Sequence, residues 1–351
     1  MIKLNQRQQL ILGFIRKNKR AQNQAIKEYL EKEIKEDISR VTVVRDLDIL
    51  LKNKLILKSG RGRDVSYSEL LVNELSAYFD VSEYFKKEVD DREIKYDRFN
   101  IDIFKNLNNL FNESELASLD KLNDNYLMRV KKLSPVIIKK EVERLIIELS
   151  WKSSQIEGNT YSLLDTEILI NEHKEAEGHQ HSEALMILNH KKALDHIFSG
   201  KDEFKKLSLG QIEGIHGLII KGLGVKSGIR KSLVGITGTK YRPLDNQHQI
   251  RECLEKMIKV INNTKHPLEK ALIINIMIAY IQPFEDGNKR TSRLLANAVL
   301  IGHSYCPLSF RSINEGDYKK AIILFYEQNS SLYFKELFME QFKFSIDNYF
   351  K

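Results

Sequence analysis

Between residues 280 and 297 the chain reads YIQPFEDGNKRTSRLLAN, and here its residue types suit chemistry rather than packing. Lys289, Arg290 and Arg293 fall in the first turns of an amphipathic pattern, where cations oppose the helix macrodipole. That placement makes sense when an anion shares the site. Gly287 lets backbone approach closely, the N–H groups of Asn288 and its neighbours are free at a helix start, and the arginines can fork onto phosphate oxygens. One acidic residue, Asp286, suits a magnesium ion, which prefers one or two carboxylates together with substrate phosphates. The competing account is a polar turn between two helices carrying a solvated charge cluster.

The elements that must position these residues read as a helical bundle. Residues 268–281 are nearly all apolar, as in a helix from the middle of a bundle, and Pro283 ends them. Residues 135–152 form a strong amphipathic helix that runs into SSQIEGNT at 153–160. Residues 183–198 and 207–221 are further bundle helices, on which His190 and His216 read as core or boundary residues. Residues 228–250 alternate like a short hairpin, and 317–350 complete the bundle. The stretch from 69 to 133 is rich in charge and aromatics but has no motif. It reads as a helical connector, with helical stretches near 69–87 and 99–111.

A chain of 351 residues, 42% hydrophobic and 30% charged, is long enough for two cores. Nothing near residue 1 resembles a signal peptide, and no apolar run approaches a membrane span. Cys253 and Cys306 lie far apart without a Cys/His cluster, which argues for a reducing, cytoplasmic compartment and against zinc. The formal charge of +8 is localised: residues 1–67 hold 16 Lys and Arg against 8 Asp and Glu, and the remainder is neutral. A basic small domain on a neutral body points to a polyanion, most simply nucleic acid.

That basic segment has amphipathic helices over 6–20 and 21–33. A third, 40–52, is capped by Ser39, with Val43, Val44, Leu47 and Leu51 facing inward. Residues 55–58 and 65–68 flank the tip SGRGRD as a hairpin. Three helices and a basic hairpin over residues 1–68 make a winged helix-turn-helix. Its DNA-binding residues would be Arg40, Thr42, Arg45 and Ser39 on the third helix, with Arg61 and Arg63 on the wing. Such modules commonly bind two half-sites as dimers, so a homodimer is compatible with this reading.

The stretch at 282–293 resembles the signature of the Fic family, HPFxDGN(G/K)RxxR, in every element except the first: Gln282 stands where the family has histidine. Residues 153–158 resemble the family's inhibitory pattern (S/T)xxxE(G/N) through Ser153, Glu157 and Gly158. Residues 228–250 resemble its flap, with Gly228 and Arg230 as a preceding Gly-x-Arg. The first 68 residues resemble DeoR-type bacterial regulators.

The resemblance implies a mainly α fold: a helical Fic bundle over 134–351 with a small β-hairpin flap, behind the winged helix-turn-helix. It implies transfer of AMP from ATP, with Mg2+, onto a Ser, Thr or Tyr hydroxyl of a protein or of the chain itself. The phosphates would lie on Gly287, Asn288, Lys289, Arg290 and Arg293, the metal on Asp286, and the general base at 282. Glu157 would face Arg293 and take the place of the γ-phosphate. Val234, Gly235, Ile236, Thr237 and Tyr241 would dock the target, Asn297 matches a family asparagine, and Tyr318 falls near an adenine contact.

Glutamine has no proton-accepting state near neutral pH, and losing a general base typically costs on the order of 10²–10⁴ in rate. Two expectations follow. One is an autoinhibited AMP transferase, weakened at Gln282 and coupled to DNA. The other is a transcription regulator whose Fic-type domain senses a nucleotide without catalysis.

Overall fold

The computed structural model describes residues 4–53, 55–70 and 73–351, the side chain of Arg63 excepted. The chain divides into two compact units, Met1–Tyr84 and Phe85–Lys351.

In the first unit, helices α1 (Gln6–Asn18), α2 (Asn23–Ile34) and α3 (Arg40–Lys52) pack with a three-stranded antiparallel sheet. The strands are β1 (Ala21–Gln22), β2 (Ile56–Ser59) and β3 (Ser66–Glu69), in the order β1-β3-β2. The starts of α1 and α3 have a local cause. Asn5 makes a reciprocal capping box with Gln8, and the Ser39 side chain accepts the Thr42 N–H. The expected hairpin is present one residue later in register, pairing Ile56 with Glu69 and Ser59 with Ser66. Its turn needs Gly60, whose φ is +85° and whose added Cβ would lie 2.3 Å from the Asp64 carbonyl oxygen. The short β1, which pairs Ala21 with Tyr67, lies where the sequence suggested the start of a helix.

Ile11, Leu12, Ile15, Ile26, Leu30, Val43, Leu47, Leu50 and Tyr67 form this unit's core. The inward face of α3 is Val43, Asp46, Leu47 and Leu50, so Val44 and Leu51 are corrected: Val44 is exposed and Leu51 half-buried. The cause is a long-range pair. Asp46 accepts from Arg7 Nε at 2.7 Å and Gln8 Nε2 at 2.9 Å, which rotates α3 to bring a carboxylate under α1.

The second unit is a bundle with a one-helix centre. After a single turn at α4 (Val81–Tyr84), the last element of the first unit, come α5 (Glu113–Val130), α6 (Pro135–Ile156) and α7 (Leu163–Glu172). These are followed by α8 (His181–Ser199), α9 (Leu209–Ile219), α10 (Gln247–Asn263) and α11 (Pro267–Ile281). The last three are α12 (Asn288–Gly302), α13 (Glu315–Gln328) and α14 (Leu332–Asn348). Every residue of α11 from Leu268 to Ile281 is buried except Glu269, so the all-apolar stretch is the bundle's axis. No helix among the described residues is long and apolar enough to cross a membrane. Cys253 and Cys306 are both free and buried.

Two expectations about this unit and its approach are corrected. The helical stretches near 69–87 and 99–111 reduce to single turns at Glu74–Ser76, Val81–Tyr84 and Ile101–Lys105. In the stretch at 99–111, main-chain groups are claimed by side chains of the bundle instead. Asn100 N–H donates to the Tyr280 hydroxyl at 2.9 Å, and Leu110 N–H to Glu269 Oε1 at 2.7 Å. The segment 228–246 is likewise no β-hairpin but an extended, irregular loop whose only bridge is Arg242 with Arg98. Arg230 accounts for that. Its guanidinium donates to the carbonyls of Ser232 and Leu244 within the loop and to that of Gln282 outside it, which ties the loop to the turn after α11 rather than to itself.

Candidate functional site: a cation-lined cavity at the start of α12

Helix α11 ends where Gln282 adopts a left-handed conformation, φ 50° and ψ 59°, and the chain turns through Pro283–Gly287 into α12. The turn is tied by amides. Asn288 Nδ2 donates to Gln282 Oε1 at 2.9 Å and to the Phe284 carbonyl at 2.8 Å, while its Oδ1 accepts the Phe284 N–H at 2.9 Å. Gln282 Nε2 donates to the Ala279 carbonyl at 2.7 Å and reaches the Tyr326 hydroxyl at 3.3 Å. Arg230 adds its Nε to the Gln282 carbonyl at 2.7 Å and its N–H to the Pro283 carbonyl at 2.9 Å. His216 stacks on Phe284 with centroids 3.6 Å apart and meets the Asp286 carbonyl at 3.0 Å. Burial holds that imidazole down at about 4, against the hydrogen bond that favours its charged form.

Helix α12 opens at Gly287, φ +79°, with no side-chain cap. A Cβ there would sit 3.2 Å from Ile219 Cδ1, so the close approach of backbone needs glycine. The first helical bond runs from Thr291 N–H to the Gly287 carbonyl, which leaves the N–H groups of Asn288, Lys289 and Arg290 without intrahelical acceptors. The three cations behind them are held differently. Arg293 is fully buried, with Nε on Ser153 Oγ at 2.9 Å and Nη2 on the Ser153 carbonyl at 2.8 Å. Its guanidinium also faces the Tyr318 ring at 5.3 Å. Arg290 donates to Asp286 at 3.0 Å. Lys289 Nζ donates to Glu157 Oε2 at 2.7 Å, and the other carboxylate oxygen lies 2.9 Å from Arg293 Nη2.

Glu157 thus bridges two cations from the end of α6, followed by Gly158 at φ +99°. Burial alone would raise its pKa, but Arg293 and then Lys289 outweigh that and hold the carboxyl down at about 2. Around this bridge several polar atoms are buried without any partner among the described residues: Nε and Nη1 of Arg290, Nη1 of Arg293 and both ring nitrogens of His190. Burial and the two guanidiniums keep His190 neutral, with its pKa well below the ordinary value. Unpaired guanidinium nitrogens in a desolvated setting are the donor set of an anion site.

The bridge opens onto a cavity of about 380 Å³. Gln282, Asp286, Gly287, Asn288, Lys289 and Glu157 line one side, and Val234, Gly235, Ile236 and Thr237 line another. The loop at 228–246, though not a hairpin, therefore brings four of its five expected docking residues to the site. The fifth, Tyr241, is corrected. It is buried, its hydroxyl donates to the Tyr280 carbonyl at 2.8 Å, and its ring packs against those of both Tyr280 and Tyr326. Asn297 is spent on the backbone of Leu308, and Tyr318 sits behind Arg293 rather than on the cavity wall.

Sequence reasoning missed the wall supplied by α13: Lys319, Ile322, Ile323 and Tyr326. Their i, i+3, i+4, i+7 spacing is the same as that of any core-facing stripe. It also missed Lys289 as a partner of Glu157, because a lysine pairs with whatever carboxylate tertiary folding brings. Asp286 is 65% exposed at the cavity mouth, and no group of three or more His, Cys, Asp or Glu able to hold a metal occurs among the described residues. One open carboxylate fits a magnesium ion that arrives bound to phosphates.

In the first unit Arg40, Arg45 and Arg61 are all exposed. Ser39 and Thr42 are instead engaged with each other, Oγ to Oγ1 at 2.9 Å. The side chain of Arg63 lies outside the described residues.

Residues 206–300 match the model of the Fic/DOC family. The protein adenylyltransferase Fic of Nematostella vectensis is 26% identical over 191 residues, 52% of this chain and 43% of that protein. A probable protein adenylyltransferase of Aquifex aeolicus is 31% identical over 94 residues, 26% of this chain and 29% of that one. The chain spans less than half the length of these curated relatives. Among solved structures, residues 134–508 of Fic-1 from C. elegans superpose with a TM-score of 0.56 at 20% identity, covering 67% of this chain and 69% of that one. A Fic domain-containing signaling protein of Bacteroides thetaiotaomicron gives 0.54 at 19%, covering 66% and 94%. The second unit shares the Fic fold.

Proposed function

We propose that the second unit binds ATP in the cavity at the start of α12 and descends from protein adenylyltransferases. In this reading Glu157 holds the phosphate donors closed and Gln282 has removed most of the transfer activity. The observation that carries it is the Glu157 carboxylate bridging Lys289 and Arg293 beside unpaired guanidinium nitrogens. A carboxylate in that position competes with phosphate oxygens for the same forked donors. The matches to proteins named adenylyltransferases support AMP as the group moved.

Transfer requires a protein hydroxyl to attack the α-phosphate, the bond to the β-phosphate oxygen to break with pyrophosphate leaving, and the hydroxyl proton to be accepted. Gly287, the α12 N–H groups, Arg290 and Arg293 would hold the phosphates. Asp286 would hold magnesium, which supplies charge neutralisation when bound. Residues 234–237, bordering the cavity, would offer main-chain groups to an acceptor segment. The proton has no place to go: Gln282 accepts from Asn288 and donates to Ala279, and an amide takes up no proton near pH 7.

The saturated amide favours a second reading, in which the domain senses ATP without transfer. In both readings the first unit binds duplex DNA through its basic surface, supported by exposed Arg40, Arg45 and Arg61 and by the concentration of positive charge there.

Incubation with α-labelled ATP and Mg2+ separates them, with the chain run beside Glu157→Gly, Gln282→His and the double variant. Label on the double variant alone is the expected outcome. Label on the unaltered chain would overturn the role given to Gln282, and no ATP binding by Glu157→Gly in calorimetry would overturn the nucleotide reading.

A further inference from the structure

The outward face of α3 is not the polar face that a solvated helix carries. Val41 is 69% exposed, Val44 38% and Ile49 36%. Single exposed valines need no explanation. Val41, however, lies opposite the buried Val43, Asp46, Leu47 and Leu50, beside Arg45, with Val44 on one edge of that exposed side and Ile49 on the other. Arg40, Val41, Val44 and Arg45 mix cation and methyl within the first two turns, and the carboxylate of that face, Asp48, comes a turn later.

The start of the helix is fixed rather than frayed. Ser39 Oγ accepts the Thr42 N–H at 3.1 Å and contacts Thr42 Oγ1 at 2.9 Å. That cap ties the two hydroxyls to each other and to the helix start, and leaves the arginines and valines projecting. Valine is stiff at χ1, so each side chain presents its methyls in a fixed direction with little rotamer entropy to lose.

An occupant for this face must be polyanionic, to match the charge surplus of residues 1–67, and must offer small apolar spots at the depth a helix reaches. The B-form major groove admits a helix, and the thymine C5-methyl is the apolar group on its base edges. RNA fits poorly: its uracil lacks that methyl and its major groove is too narrow and deep for side chains to read. We infer that Val41 and Val44 read thymine methyl groups in duplex DNA, with Arg40 and Arg45 on phosphates or guanine edges. The inference rests on the DNA-binding reading of the first unit and adds to it which base the helix selects.

The test uses the full chain. Duplexes are selected from a randomised library, then titrated by fluorescence anisotropy with each thymine of the selected site replaced in turn by deoxyuridine. That replacement removes only the methyl. At one or two positions binding should weaken about 4-fold, the size expected for one buried methyl group. Val41→Ala or Val44→Ala should bind the thymine and deoxyuridine duplexes equally. Both are exposed, so their circular dichroism should match the parent. Arg45→Ala should weaken thymine and deoxyuridine duplexes alike. Selected duplexes that lose nothing on replacement, or alanine variants that keep the full deoxyuridine penalty, overturn the inference while leaving DNA binding intact. Failure to select any duplex removes the DNA-binding reading and this inference with it.

Discussion

Helices α3 and α12 both carry arginines in their opening turns, and they handle the same electrostatic conflict in opposite ways. A helix start is the positive end of the dipole, so cations there need a compensating anion. At α12 the protein supplies its own. Glu157 lies between Lys289 and Arg293, Asp286 faces Arg290, and the arginines are buried. At α3 the cap is a neutral serine and Arg40 and Arg45 stand in solvent. A start that carries its own anion must exchange it to bind another, whereas an open one waits for an external polyanion. On the proposed reading the first is a lock and the second a landing surface.

The sharpest way to break this comparison is Glu157→Gly. Removing one partner of a buried pair leaves Arg293 uncompensated, which costs about 3–5 kcal/mol. The variant should unfold at a clearly lower Tm without nucleotide, recover with ATP, and bind ATP at least about 10-fold tighter by calorimetry. Equal ATP affinity in both forms would mean that Glu157 does not occupy the anion's place.

Acid sharpens it next. The folded pKa of Glu157, about 2, is below the 4.5 of an ordinary glutamate. Its stabilisation is therefore present above pH 4.5 and is lost as pH falls towards 2, by up to about 3 kcal/mol. His216 is held at about 4 rather than 6.5. The unfolded chain therefore binds the extra proton between those values, and stability should fall by about 3 kcal/mol as pH drops from 6.5 to 4. Urea titrations of His216→Gln should lose this upper slope and keep the lower one.

The smallest effect on folding belongs to Arg45→Ala, which should change stability by less than about 0.5 kcal/mol because the side chain is exposed. If Arg45 meets a phosphate, the variant should bind all duplexes more weakly and reduce the salt slope by about 1. A large loss of Tm would make Arg45 structural and erase the contrast with α12.

What the sequence disclosed follows the range of the interactions involved. The bounds of α3 were legible because Ser39 caps it locally. The direction it faces was not, because Asp46 answers to Arg7 and Gln8, more than 35 positions away. The turn from 282 to 288 was legible because it is contiguous, and its internal bonds run only from Gln282 to Asn288 and its immediate neighbours. The flap was misread as a hairpin because alternation says nothing about an arginine that ties the loop to the turn after α11. The α13 wall was invisible, since a cavity-facing stripe and a core-facing one are written in the same residues.

Gln282 has a bearing on shape as well as on rate. Its amide donates to the Ala279 carbonyl and the Tyr326 hydroxyl and accepts from Asn288, three engagements through two atoms. An imidazole offers one donor and one acceptor on a ring of another shape, so restoring histidine leaves at least one of these neighbours unanswered, at a cost of about 1–3 kcal/mol for a buried polar group. The loop closes on its amide, so a histidine placed there supplies a proton acceptor without supplying the fit. Label on the Gln282→His double variant would thus come from a base working in a loop shaped for another side chain.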